Sequence, residues 1–271
     1  MKSFLCKLRW IFFHRFIRLV SATICVYLIS GNQRECLAQL NESDSIRWQI
    51  KFNATASVLD GNVARTLLLN RIEVAHANKQ WGISTRNDYQ YGRTFYKLTE
   101  NDVISYNFIY LKPLSKVYPY LMGLVETNLR RKIDFRYQVG PGVSWNIVNK
   151  KPSLVKLSAT ATYENTRYGG TIFDDEKYNG SNTIETWRLT GRFFGKHTLT
   201  SKVRISYEFW WQQSLSEQVN YRFHTEEAIE LPVTKHIAFR TAVRYSYENI
   251  ELIGLKPFDL FWTYGLTITN F

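Results

Sequence analysis

The stretch that decides the fold runs from Ile46 to Val58, IRWQIKFNATASV. Ile46, Trp48, Ile50, Phe52, Ala54, Ala56 and Val58 share one phase, and Arg47, Gln49, Lys51, Asn53, Thr55 and Ser57 share the other. A period of two held for thirteen residues is a β-strand with one apolar and one polar side, because successive side chains of a strand point to opposite faces.

The pattern recurs down the chain. Phe135, Tyr137, Val139, Val143, Trp145 and Ile147 oppose Arg136, Gln138, Ser144 and Asn146. Leu199, Val203, Ile205, Tyr207, Phe209 and Trp211 oppose Thr200, Lys202, Arg204 and Glu208. Ile237, Phe239, Thr241, Val243, Tyr245 and Tyr247 oppose Arg240, Arg244 and Glu248. Trp81, Ile83, Thr85 and Tyr89 alternate with Gly82, Ser84, Arg86 and Asp88, and Ile104, Tyr106, Phe108 and Tyr110 with Val103, Ser105 and Asn107. Twelve strands are expected: 45–59, 64–76, 80–91, 102–111, 117–127, 135–148, 153–163, 183–194, 197–211, 219–231, 237–248 and 258–270. In 64–76 and 117–127 the two faces are similarly apolar.

Alternation alone fits a soluble sandwich as well as a membrane barrel. Four features select the barrel. Many strands reach about 10–14 residues, enough to cross a bilayer at a tilt. Tryptophans at 48, 81, 145, 210, 211 and 262 lie near strand ends, as interfacial girdles require. Phe271 ends the chain. Finally, the connections alternate: short turns at 77–79, 112–116, 149–152, 195–196 and 232–236 face longer ones at 92–101, 128–134, 164–182, 212–218 and 249–257. Only the tight hairpin Asp60-Gly61-Asn62 breaks the asymmetry. Pro141, inside a strand of a closed sheet, calls for a bulge at Gly140-Pro141-Gly142.

The N-terminus has its own chemistry. Lys2, Lys7, Arg9, Arg15 and Arg18 form a basic region, Leu19 to Ser30 an apolar one, and Cys36-Leu37-Ala38 offers small residues at the −3 and −1 positions of a cut after Ala38. Residues 1–38 therefore read as a secretory signal peptide and 39–271 as one outer-membrane barrel domain. The chain of 271 residues carries a formal +12. Six of its 35 basic residues and one of its 23 acidic ones lie in the signal, leaving +7 on the remainder. Cys6, Cys25 and Cys36 also lie there, so the barrel has no thiol for disulfides or metals. Neither cofactor nor metal site is expected. Lysines scattered over separate turns give no stripe for nucleic acid.

The layout resembles a family of salt-induced outer-membrane proteins, a bacterial domain of unknown function with a β-barrel fold. The carrying residues are Asp60-Gly61-Asn62, Trp81-Gly82, the block VYPYLMGLVETNLRRKIDFRYQVGPGVSW (Val117 to Trp145) and the final YGLTITNF (Tyr264 to Phe271). The resemblance spans residues 45–271 and implies no activity and no functional residues.

No enzyme is expected, because none of His76, His197, His224 and His236 stands in a His-x-Ser spacing. His224 with Glu226 and Glu227 reads as a polar cluster facing the lumen. Asp174-Asp175-Glu176-Lys177 reads as a solvated loop rather than a calcium site. The polar phases instead supply lumen-lining candidates: Arg47, Lys51, Arg136, Lys202, Arg204, Arg240 and Arg244, with Glu208 and Glu248. Charged groups at membrane depth must face a wet or paired interior. Their positive excess suggests an anion-preferring small-solute channel in the outer membrane. The alternative is a non-conducting structural or stress-related envelope protein, its lumen closed by salt bridges and its outer loops a binding surface. Expected partners are outer-membrane lipid and lipopolysaccharide, the barrel assembly machinery that follows periplasmic export, and small anionic solutes.

Overall fold

The computed structural model describes residues 48–60, 64–150, 152–200 and 202–270. The segment expected to be a signal peptide, Arg47, part of the first hairpin and Phe271 lie outside them. Among the described residues, twelve antiparallel strands pair in sequence order and β1 closes on β12. They are β1 (Gln49–Leu59), β2 (Arg65–Ala77), β3 (Trp81–Thr94), β4 (Lys97–Leu111), β5 (Val117–Asn128), β6 (Ile133–Lys150), β7 (Ser153–Tyr168), β8 (Thr183–Thr200), β9 (Val203–Ser214), β10 (Tyr221–Pro232), β11 (Ile237–Glu248) and β12 (Phe258–Thr269). The closing seam is short: β1 and β12 pair at four positions, from Lys51 with Thr269 to Ala54 with Leu266, and that contact turns the sheet into a barrel.

On every strand whose two phases the sequence separates, except β4, the outer face is the apolar phase. Trp48, Ile50, Val139, Val143, Phe239 and Val243 are exposed, as are Leu260, Trp262, Tyr264, Leu266 and Ile268 of β12. Near the end opposite the termini, Trp211, Tyr221, Tyr247, Phe223, Tyr245 and Phe258 stack ring on ring, with centroids 5.0–6.0 Å apart. Such a band suits the membrane–water boundary.

Four expectations are corrected. First, Gly195-Lys196 is no turn: β8 runs on to Thr200, and a Cβ at Gly195 would meet the Tyr207 ring at 2.2 Å. The glycine lets an aromatic lie over the opposite strand. Lys202 consequently lies exposed in the β8–β9 turn and does not line the lumen. Second, residues 92–101 are not a long loop. β3 and β4 stay paired to a two-residue tip at Phe95 and Tyr96, both at positive φ (47° and 64°), the geometry that matches the strand twist. Third, no bulge forms at Pro141. Its ladder to β5 is continuous, and the pairing with β7 skips Gly140 and Pro141 and resumes in register at Gly142. Gly140 is needed there, because a Cβ would sit 1.9 Å from the Ala161 carbonyl.

The fourth correction concerns β4. Ile104, Tyr106, Phe108 and Tyr110 face the lumen, and Val103, Ser105, Asn107 and Ile109 face outward. The inward stripe packs on Tyr118, Tyr120, Met122 and Leu124 of β5, forming a small apolar core along one inner wall. Burying these rings against one another compensates for keeping them from lipid.

At the end opposite the termini, two loops attached four strands apart meet. Residues 169–182 and 249–257 join through a bridge between Phe173 and Leu252. Ile133, Tyr168, Ile184 and Ile250 pack with them as a buried cluster. Asp174 caps this junction through hydrogen bonds to both backbone groups of Glu251, and the Asp175 carboxylate accepts from the Lys177 amide. Asp174 and Asp175 thus each spend a carboxylate oxygen on loop geometry.

Candidate functional site

Alternation sends the polar phase of nearly every strand into one lumen, where twelve strands leave a cavity of about 230 Å³. Its lining runs from Ala75, Tyr110 and Lys196 near the turn end to Arg131 and Asp259 near the loop end. Of the lumen candidates, Lys51, Arg136, Glu208, Arg240, Arg244 and Glu248 line this cavity, and Arg204 is buried beside them. Lys202 stands apart in its turn, and Arg47 is outside the described residues.

These charges are not isolated. At mid-height Arg71 bridges Asp88 and Glu226, holding the latter with two hydrogen bonds of 2.5 and 2.8 Å. Arg240 lies 2.8 Å from Glu226 and 3.6 Å from Glu230, which also takes Lys51 and Arg204. Arg86 reaches Glu208 at 3.0 Å, and Arg192 reaches the same carboxylate at 2.9 Å. Toward the loop end, Arg136 holds Glu126 at 2.9 Å and grips Glu248 through both terminal nitrogens. Arg130 and Arg131 share Asp259, and Arg188 and Arg222 share Glu164. Several pairs cross the lumen: Arg71 to Glu226 joins β2 to β10, and Arg136 to Glu248 joins β6 to β11. Charges taken from bulk water need such partners.

The wall formed by β4 and β5 is different. Its tyrosines and Phe108 lie against cations: Arg86, the neighbour of Tyr106 on β3, is 4.5 Å from its ring centre, Lys156 5.9 Å from that of Tyr118, and Arg192 5.8 Å from that of Phe108. These are cation–π contacts. Tyr120 and Tyr110 spend their hydroxyls on Thr160 and Ser84.

Of the acidic half of this network, sequence reasoning placed Glu226 in the lumen with His224 and missed Asp88, Glu126, Glu164 and Glu230. The signal was present, since Arg222, His224, Glu226 and Glu230 share one phase of β10. Glu227, expected beside His224 in the lumen, is on the outward phase and exposed. His224 stacks on Trp210 and places Nδ1 2.9 Å from the Ser246 hydroxyl, while its Nε2 has no hydrogen-bond partner among the described residues. His197 lies between Ser153 and Tyr207. In neither case is the ring aligned between a serine and a carboxylate, the arrangement that activates a nucleophile. Among the described residues no cluster of His, Cys, Asp and Glu has metal-binding geometry.

Comparison with known proteins agrees with this architecture. The family described as "Protein of unknown function, DUF481" matches residues 52–269. No curated protein matches the sequence. Among solved structures, the NanC porin superposes with a TM-score of 0.51 at 9% identity, over 83% of this chain and 100% of that one. The KdgM porin in complex with disordered oligogalacturonate gives 0.42 at 11% identity, over 81% and 98%. The translocator domain of the autotransporter NalP from Neisseria meningitidis gives 0.41 at 9%, over 83% and 89%. The likeness to NanC establishes an outer-membrane-type barrel fold.

Proposed function

This chain belongs to the DUF481 family of proteins of unknown function, and on that footing we propose that it is a narrow outer-membrane channel favouring small anions. The observation that carries this reading is the charge balance of the cavity wall. Among the described residues, twelve Lys and Arg line it against eight Asp and Glu. Fixed positive excess inside a narrow, low-dielectric wall raises the local concentration of counter-ions and opposes cations. The cross-lumen ion pairs keep the path tight, so solutes much larger than hydrated ions are excluded in this conformation. Export by the N-terminal signal and insertion by the barrel assembly machinery, into lipid and lipopolysaccharide, complete the reading.

The test is electrical. Purified protein in a planar bilayer should conduct, with a reversal potential of the sign for chloride under a potassium chloride gradient. The preference should fade as salt rises, since the Debye length falls from about 10 Å at 0.1 M to about 3 Å at 1 M. Lys156→Gln with Lys196→Gln should weaken it. These two suit the purpose better than Arg204 and Arg240, whose loss would leave the buried Glu230 carboxylate to Lys51 alone. Inserted protein without conductance at any salt would favour the second reading, a non-conducting envelope barrel. The observation behind that reading is the set of ion pairs across the lumen.

A further inference from the structure

One patch of the outward surface contradicts its surroundings. On β3 and β4, Thr85, Asn87, Ser105 and Asn107 occupy the same outward phase as Ile83, Tyr89, Val103 and Ile109, near mid-strand, where a bilayer barrel meets acyl chains. The four side chains close a ring of hydrogen bonds. The Thr85 hydroxyl donates to Asn107 Oδ1 at 2.9 Å, and Asn107 Nδ2 to the Ser105 hydroxyl at 2.9 Å. The Ser105 hydroxyl donates to Asn87 Oδ1 at 2.7 Å, and Asn87 Nδ2 to the Thr85 hydroxyl at 3.0 Å. The ring satisfies one N–H of each amide. The other N–H of Asn87 and of Asn107 has no acceptor among the described residues, and hydrocarbon offers none. Beside Asn107, Gly123 of β5 presents open space where a side chain would stand.

We infer that this face is a lateral interface between two copies of the chain within the membrane. Polar side chains that hydrogen-bond across, next to small residues that admit close approach, are what holds protein to protein in lipid. A second copy is the fitting occupant because the patch is self-complementary. The bilayer holds both copies the same way up, so a two-fold axis along its normal preserves height. Asn87 and Ser105, paired on neighbouring strands, then meet the same level of the partner, as do Thr85 and Asn107. Each level carries both an amide donor and oxygen acceptors. The contact needs no conductance and stands independently of the channel reading.

Cross-linking tests this directly, since no cysteine follows Cys36 in the chain. Ile109→Cys, beside the ring, should give a dimer-sized product in native membranes, and Ile229→Cys on β10, across the barrel, should not. Adding Asn87→Leu and Asn107→Leu should lower the Ile109→Cys product at least about tenfold, the effect of losing one or two hydrogen bonds in lipid. Retained heat-modifiable gel mobility would show that this variant still folds. If it does not fold, the mass of the unaltered particle in mild detergent decides: two chains support the interface and one chain overturns it. An Ile109→Cys product no stronger than the Ile229→Cys control also overturns it, as does exclusive cross-linking to a different protein.

Discussion

Arg86 on β3 and Glu208 on β9 stand six strands apart in a barrel of twelve, and their side chains meet at 3.0 Å. They come from diametrically opposite walls, so this single pair measures how narrow the lumen is. Glu208 also holds Arg192 at 2.9 Å, which makes the carboxylate a keystone for two cations.

Replacing that carboxylate is the most direct probe of the lumen. Glu208→Gln leaves Arg86 and Arg192 without their shared partner, and losing one side of such a buried pair costs about 3–5 kcal/mol. The unboiled band on a gel should convert to the unfolded band at a lower temperature. Conductance and chloride preference should both rise, because one anionic strut across the lumen is removed while Arg86, Arg192 and their positive charges remain.

The register of β11 is testable at adjacent residues. Val243 faces outward and Arg244 faces in, where its guanidinium lies 4.8 Å from the Phe261 ring centre. Val243→Arg should cost about 2–4 kcal/mol near the midplane, and Arg244→Val much less. Refolding titrations in urea with lipid vesicles measure both. A reversed order would place every side chain of β11 on the wrong face.

The loop junction should loosen in alkali. Glu251 is 1% exposed and contacts Arg131, and burial together with the Glu248 carboxylate pushes its pKa up to about 8. A raised carboxyl favours its protonated form in the folded loop. Its stabilising contribution is therefore complete below the ordinary carboxylate value and is lost as pH rises through about 8. Hydrogen exchange at the Asp174 amide, which donates to the Glu251 carbonyl, should accelerate over that range beyond the intrinsic base-catalysed rise. Glu251→Gln should remove the extra acceleration.

Phe173 anchors the same junction, 1% exposed and edge-on to Tyr168 at 5.1 Å. Phe173→Ala should remove about 3–5 kcal/mol from the loop cluster. External protease should then cut within 169–182, while the barrel keeps its heat-modifiable mobility, because the strands pair without the loop.

Much of this protein is written in a period of two. Where one phase is apolar and the other polar or charged, as in β1, β6 and β11, the sequence determines both strand and facing, because hydrocarbon rejects unpaired polar and charged groups whatever the neighbours are. Arg136, Arg240, Arg244 and Glu248 could be sent to the lumen on that ground alone. The same argument failed on β4. Its aromatic phase is apolar and its opposite phase only mildly polar, so facing was decided by the matching stripe on β5 and by the hydrogen-bonded ring outside. Glycine misled in the same way: Gly195 reads as a turn until the Tyr207 ring is seen over it. Only the tertiary structure could pair Arg86 with Glu208, 122 residues apart. Alternation fixes the direction in which a side chain leaves its strand. Which charges meet across the lumen depends on strand number, stagger and closure, which belong to the sheet as a whole.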